Sequence, residues 1–160
     1  MQIPGLRRLG ALALLAALAG ASAANAAPPA PLTPQAIVTA QYRMYVATEH
    51  LPGAYTPPTS LYTPRLRALM AKSTRDAHGE EGCGEDFGWW VNAQDYEITD
   101  VHVTGATTGA RATVTATFVN LHTPQALRFS FQQIGGRWLI DDIESVKANR
   151  WLLSKLLQCQ

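Results

Sequence analysis

The chain has 160 residues, of which 13 are basic and 12 are acidic, and its net charge is +1. A near-neutral chain without a cluster of lysine and arginine argues against nucleic acid as a partner, because many cations are needed to neutralise phosphates. The same charge balance argues against a polybasic membrane patch. The length is sufficient for one domain with a sizeable core.

Residues 1–26 have the features of a secretory signal peptide. Arg7 and Arg8 supply a positive start, Leu9–Gly20 is apolar, and Ala24–Ala26 has the small-x-small pattern of a cleavage site. The apolar run is shorter than the ~20 residues that cross a membrane. We therefore expect a periplasmic or secreted protein with no membrane anchor after cleavage, and the arginine pair leaves both the general and the twin-arginine export routes open.

The chain contains two cysteines, Cys83 and Cys159. In an oxidising compartment this even count favours one disulfide between a mid-chain loop and the C-terminus, with two free thiols as the alternative. Their wide separation does not fit the Cys-x-x-Cys spacing of a catalytic dithiol.

A proline- and alanine-rich lead-in at residues 27–33 precedes a single domain, residues 34–160. Thr33-Pro34 and Thr63-Pro64 each place a capping hydroxyl before a proline at the first helical position. These signals predict helices over residues 34–50 and 64–77, joined by a loop that includes residues 55–61. The apolar positions of the first helix predict a buried stripe of Ile37, Val38, Gln41, Tyr42, Met44 and Tyr45, and those of the second predict burial of Leu66, Leu69 and Met70.

After residue 95 the apolar period changes to two, which predicts half-buried strands. Apolar and polar residues alternate from Ala112 to Phe118 in one predicted strand, and from Leu127 to Phe131 in the next. With residues 122–125 as the turn, we expect Phe118 to face Phe129 and Ala116 to face Phe131, since this register makes the apolar faces coincide.

Gly135-Gly136 predicts a two-residue hairpin turn. It pairs Ile134 with Arg137, Gln133 with Trp138 and Phe131 with Ile140. Ile143 lies opposite Phe129 only if one residue is added at Asp141-Asp142, so we predict a β-bulge there.

A second irregularity is expected near Thr99-Asp100, where the parity of the apolar residues changes. The apolar residues within 151–157 predict a short C-terminal helix. No crossover helices separate the strands, so the sequence predicts an α+β domain with an antiparallel sheet.

Three stretches resemble the cone-shaped fold of the nuclear transport factor 2-like superfamily. They are Tyr42-x-x-Tyr45, Ala93–Tyr96, and the segment Gly136–Ile143 (GRWLIDDI). Within the superfamily, the chain is most similar to bacterial exported proteins of the domain of unknown function 3828 family. The resemblance implies N-terminal helices packed on a curved antiparallel sheet of at least four strands, around one pocket. The superfamily contains both acid–base enzymes and non-catalytic binding proteins. The resemblance therefore does not indicate which of these two functions the chain has.

The candidate pocket residues are aromatic. Tyr42, Tyr45 and Trp90 would give apolar walls with polar tips, although aromatic residues at helical spacing are equally typical of a core. Asp95, beside Trp90 and Tyr96, is a candidate general base, and His102 is a possible partner. The simpler interpretation is that Asp95 caps a turn and that His102 is an exposed strand residue.

We expect an exported binding protein for a small apolar or amphipathic ligand or a periplasmic protein partner, without cofactor or metal. One alternative is an isomerase- or dehydratase-type enzyme with Asp95 as the base. Another is an inhibitor or immunity-type protein that would use the acidic loop Glu80–Asp86. The carboxylates of this loop could instead bind calcium or a transition metal, but the sequence has no EF-hand pattern, which favours a solvated loop around the disulfide.

Overall fold

A computed structural model describes residues 32–53, 55–77, 87–147 and 149–158. The predicted signal peptide (residues 1–26), both cysteines and the loop Glu80–Asp86 lie outside these residues. The described chain forms helices and an antiparallel sheet, in the order α1 (Pro34–Thr48), a 3₁₀ turn (Thr59–Leu61), α2 (Pro64–Asp76), β1 (Ile98–Thr108), β2 (Arg111–Asn120), β3 (Thr123–Ile134), β4 (Arg137–Ser145), β5 (Trp151–Leu152) and α3 (Leu153–Leu156).

Both long helices begin as the Thr-Pro signals predict. The hydroxyl of Thr33 accepts a hydrogen bond from the Ala36 amide at 3.1 Å, and that of Thr63 accepts one from the Leu66 amide at 3.2 Å. α1 ends two residues before the predicted boundary and α2 one residue before it. The predicted stripe of α1 is buried except at Met44, which is 44% exposed, and α2 buries Leu66 with Leu69 and Met70 partly buried.

The five strands lie in chain order in one antiparallel sheet, which confirms the predicted α+β class. Along β2 and β3 alternate side chains are buried and the intervening ones are mostly exposed, as the period of two predicts. α1 lies against β1 and β2. The core therefore lies between this helix layer and one face of the sheet. In the described part of the chain, no helix is long and apolar enough to cross a bilayer.

The predicted register of the β2–β3 hairpin is wrong. Phe118 lies opposite Gln125 rather than Phe129, and Ala116 lies opposite Leu127. The turn consists of Leu121 and His122, both at positive φ (46° and 65°), and is shorter than predicted. The partners move by an even number of residues, so the same side chains face the core in both registers.

The β3–β4 hairpin has the predicted register and bulge. Gly135 and Gly136 both have positive φ, at 57° and 75°, as a two-residue turn of this kind requires. Ser130 pairs with Asp142 and Phe131 with Ile140, which leaves Asp141 as the extra residue. The irregularity predicted near Asp100 is also present, since the β1–β2 register shifts between Thr99 and His102.

The C-terminal prediction is only partly correct, because Trp151 and Leu152 pair with β4 as a strand and the helix begins at Leu153. Two side-chain hydrogen bonds hold this segment. The Trp151 indole donates to Asn92 at 2.7 Å, and the Ser154 amide donates to the Asp142 carboxylate at 3.0 Å.

Candidate functional site

A cavity of about 470 Å³ opens beside the C-terminal half of α1. α2, the segment 55–62 and the segment 87–96 form its other walls. We call it the aromatic cavity, because seven of its lining residues are aromatic: Tyr45, Tyr55, Tyr62, Phe87, Trp89, Trp90 and Tyr96. The remaining described lining residues are uncharged: Thr56, Pro57, Thr59, Met70, Thr74, Gly88, Val91 and Gln94.

Trp90 is the most buried ring of this wall, with 2% of its surface exposed. Its indole nitrogen donates a hydrogen bond to the Tyr62 hydroxyl at 2.9 Å, and its carbonyl accepts one from the Tyr42 hydroxyl at 2.9 Å. Its ring lies 4.5 Å from that of Phe129 on β3. These contacts hold this part of the cavity wall against the core-facing side of the sheet.

The segment that carries Trp89 and Trp90 is a tight loop. The Gly88 amide donates to the Ala93 carbonyl at 2.9 Å, and a Cβ on Gly88 would lie 3.0 Å from the Val91 side chain. The buried Asn120 side chain donates to the Val91 carbonyl at 3.0 Å and to the Asp95 carbonyl at 3.3 Å. The loop is therefore attached to the end of β2 by hydrogen bonds that satisfy its backbone.

Three tyrosines form a corner of the cavity. The Tyr45 ring meets those of Tyr55 and Tyr96 edge to face, with centroids 5.0 and 5.1 Å away and interplanar angles of 86° and 88°. The Tyr55 hydroxyl donates to Gln41 at 2.5 Å, and the Tyr55 amide donates to the Tyr96 hydroxyl at 3.3 Å. Tyr45 is 4% exposed, and no described residue hydrogen-bonds its hydroxyl.

Burial raises the pKa of three cavity tyrosines, Tyr45, Tyr55 and Tyr62. It raises the pKa of Tyr62 to about 12, although the hydrogen bond from the Trp90 indole opposes the shift. Burial, with smaller contributions from neighbouring tyrosines, raises the pKa of Tyr45 above its ordinary value. The pKa of Tyr55 is also raised by burial. The cavity therefore presents neutral hydroxyls at neutral pH.

α2 is attached to the sheet through the bulge residue Asp141. One carboxylate oxygen accepts hydrogen bonds from the Thr63 hydroxyl at 2.9 Å and from Arg65 Nε at 3.0 Å, and the other accepts one from Gln132 at 2.9 Å. Partial burial opposes ionisation, but hydrogen bonds from Arg65, Thr63 and Gln132 and the Arg65 charge lower the pKa of Asp141. We call these four residues the Asp141 cluster. It positions the helix that brings Met70 and Thr74 to the cavity wall.

The structure separates the three predicted pocket residues and the candidate base Asp95. Tyr45 and Trp90 line the aromatic cavity. Tyr42 is 1% exposed and packs against Trp90 and Phe118, on the core side of the wall. Asp95 lies between two cavity-lining residues but is itself exposed, beside a shallow depression next to Glu49.

The acid–base alternative requires Asp95 to face the cavity with a polar partner. Asp95 lies outside the cavity lining, and its carbonyl accepts the Asn120 hydrogen bond. His102 is exposed on β1, where it pairs with the outward-facing Thr117, and it borders a different depression. The geometry therefore does not assemble the pair that this alternative needs.

Two residues of the cavity wall were not predicted from the sequence. Tyr55 is the first residue of the predicted linking loop 55–61, and Tyr62 directly follows that loop. Two tyrosines around a Pro-Pro pair were the available signal, but they do not indicate which element they contact. Among the described residues, no group of three or more histidine, cysteine, aspartate or glutamate side chains is placed to hold a metal ion.

A second depression, the α1/β1 cleft, has a volume of about 620 Å³. It lies between α1 and the edge strand β1, where the Gln35 side chain donates to the Val103 carbonyl at 2.9 Å. Its described lining residues are Thr39, Tyr42, Arg43, Val46, Ala47, Val101, His102, Val103 and Thr104. It contains one aromatic side chain, in contrast to the aromatic cavity.

Comparison with known proteins gives two partial structural likenesses. A chain of the type VI effector–immunity complex Tae3–Tai3 from Ralstonia pickettii is 17% identical, with a TM-score of 0.47 over 74% of this chain and 98% of that one. A phospholipid-binding protein from Ralstonia solanacearum, solved with a phospholipid, is 17% identical, with a TM-score of 0.35 over 61% of this chain and 51% of that one. No family model and no curated protein matches the sequence.

Proposed function

We propose that this protein is a non-catalytic binding protein and that its aromatic cavity holds a small apolar or amphipathic ligand. The observation that carries the proposal is the seven-ring wall without a charged side chain among its described residues. The volume of about 470 Å³ falls within the ~300–1,000 Å³ range of small-molecule pockets.

The cavity recognises a ligand chiefly through contact with ring faces. Burial of an apolar body against these rings contributes roughly 25 cal/mol per Å² of surface removed from water. The uncharged polar groups of the lining include the Tyr45 hydroxyl and the side chains of Thr59 and Gln94. An amphipathic ligand would direct its polar group towards these groups.

The test is a fluorescence titration with the uncharged probe N-phenyl-1-naphthylamine, using two matched threonine-to-tryptophan variants. Thr74→Trp places a bulky ring in the aromatic cavity from an exposed position of α2. Thr39→Trp places the same ring in the α1/β1 cleft. We expect Thr74→Trp to lose binding by at least about tenfold and Thr39→Trp to bind like the parent protein.

The two variants also identify a wrong assignment. If Thr74→Trp still binds the probe and Thr39→Trp does not, the probe binds in the α1/β1 cleft and not in the aromatic cavity. Absence of saturable binding by the parent protein would contradict the proposal as a whole. Circular dichroism of each variant checks that the fold is retained.

We further propose that the chain is a nuclear transport factor 2-like protein exported to the periplasm. The open antiparallel sheet with α1 against it and the bulge in β4 support the first part, and the features of residues 1–26 support the second. The intact mass of protein from a periplasmic fraction should correspond to a chain starting at Ala27. It should also lack the two thiol hydrogens if Cys83 and Cys159 are paired. An uncut chain in the inner membrane would contradict export.

A further inference from the structure

We propose that the aromatic cavity is selective for a quaternary ammonium group, an inference that rests on the proposed function and names the ligand chemistry of the same site. Three observations carry it: the described lining contains no charged side chain, most tyrosine hydroxyls are engaged within the protein, and the rings lie in different planes.

The first step concerns hydrogen bonding. The Tyr55 hydroxyl donates to Gln41, the Tyr62 hydroxyl accepts from Trp90, and the Tyr96 hydroxyl accepts from the Tyr55 amide. These bonds hold the rings in place. The wall therefore offers rigid ring faces for contact with a ligand.

The second step concerns charge. An anion in the cavity would lose hydration without gaining a cationic partner from the described lining, which is unfavourable. A primary ammonium would bring three N–H donors, each of which needs an acceptor. A quaternary ammonium has no N–H donor, and its positive charge is attracted to the faces of tryptophan, tyrosine and phenylalanine rings.

The third step concerns geometry. The Tyr45 ring is nearly perpendicular to the rings of Tyr55 and Tyr96, at 86° and 88°. The three rings pack against one another, and because they lie in different planes this corner does not form the slot between parallel rings that a flat molecule would fill. Trp89, which is partly buried, adds an indole, the best cation–π partner, to the same cavity.

The test uses three ligands of nearly the same shape that differ in charge. Choline is the cation, 3,3-dimethyl-1-butanol its neutral counterpart and 3,3-dimethylbutanoate the anion. Each competes with N-phenyl-1-naphthylamine on the full mature chain. We expect choline to displace the probe at a concentration about fivefold lower than the neutral alcohol, and the anion to be the weakest competitor.

A variant links this preference to a ring. Trp89→Leu keeps an apolar side chain in the wall but removes an indole face, so it should abolish most of the choline advantage and leave displacement by the alcohol nearly unchanged. Trp138→Leu, at a partly buried tryptophan outside the cavity lining, is the matched control and should keep the advantage.

The outcomes separate the two proposals. Equal displacement by choline and the alcohol, with the probe still bound, overturns the ammonium inference and leaves the apolar-ligand proposal intact. An advantage that persists in Trp89→Leu, or disappears in Trp138→Leu, also overturns the inference. Failure of the probe to bind the parent protein contradicts the proposed function itself.

Discussion

Helix α1 borders two depressions that differ in what surrounds them. The α1/β1 cleft is the larger, at about 620 Å³ against about 470 Å³ for the aromatic cavity. Its wall consists mainly of short side chains and the edge of β1, whereas seven rings line the aromatic cavity. The difference indicates that the chemistry of the wall, rather than volume, marks the candidate site.

The two depressions also differ in how their walls are held. Asn120 and the Asp141 cluster attach the 87–96 segment and α2 to the sheet by hydrogen bonds, and the bond from the Trp90 indole to Tyr62 joins two walls of the aromatic cavity. In the cleft, the side-chain hydrogen bond from Gln35 to Val103 joins helix and strand. A site whose side chains are already held in place loses less entropy on binding, which favours the aromatic cavity as the ligand site.

The largest effect is expected from Trp90→Ala. The change removes a buried ring and leaves the Tyr62 hydroxyl without its donor, so the free energy of unfolding should fall by about 3–5 kcal/mol. Val103→Ala, in the wall of the cleft, should cost about 1 kcal/mol because the residue is only partly buried. Urea denaturation measures both, and equal losses would contradict the difference between the two walls.

A smaller effect is expected from Asp141→Asn, which weakens the attachment of α2. The loss should be about 1–3 kcal/mol, because charge-assisted hydrogen bonds from Arg65 and Thr63 are weakened. Glu144→Gln, in the more exposed pair with Arg128, is the control and should cost about 0–1 kcal/mol.

The Asp141 effect also depends on pH. Since the folded-state pKa is lowered, the contribution is fully present above the unfolded value of ~3.9 and is lost as the pH falls through the lower folded value. Urea titrations between pH 7 and pH 3 should therefore show a steeper acid loss in the parent than in Asp141→Asn. If the free energy of unfolding falls equally with pH in the parent protein and in Asp141→Asn, the stabilising role assigned to the Asp141 carboxylate is contradicted.

The smallest effects compare two tyrosines of the same cavity. Tyr62→Phe leaves the Trp90 indole without its acceptor and should cost about 1–2 kcal/mol. Tyr45→Phe removes a hydroxyl that no described residue hydrogen-bonds, so stability should change by less than about 0.5 kcal/mol. A larger loss in Tyr45→Phe than in Tyr62→Phe would show that the Tyr45 hydroxyl has a structural role rather than availability for a ligand.

Local signals in the sequence were sufficient for much of the fold. The threonine caps located both helix starts, and the parity of Phe129, Phe131 and Ile143 required the bulge at Asp141. The prediction of the β2–β3 register was wrong for a physical reason. Alternation specifies the buried face but not which of several even shifts occurs, and Leu121-His122 is not a sequence that signals a turn at positive φ.

The candidate site was predictable only in part. Tyr45 and Trp90 were recognised as wall residues because large aromatic side chains are typical of pockets. Asp95 was chosen for its neighbours in the chain, but Gln94 and Tyr96 line the cavity while Asp95 is exposed. Proximity in sequence does not determine the direction of a side chain when the backbone is irregular.

The central claim is that ligand occupies the space between α2 and the segment 87–96. NMR titration of the protein with N-phenyl-1-naphthylamine tests it directly, because ring currents of the probe shift nearby nuclei. The account predicts saturable shifts of the Met70 methyl and the Trp89 indole N–H, with the methyls of Val46 and Val103 unchanged. Shifts at those valines with an unperturbed Met70 would contradict it.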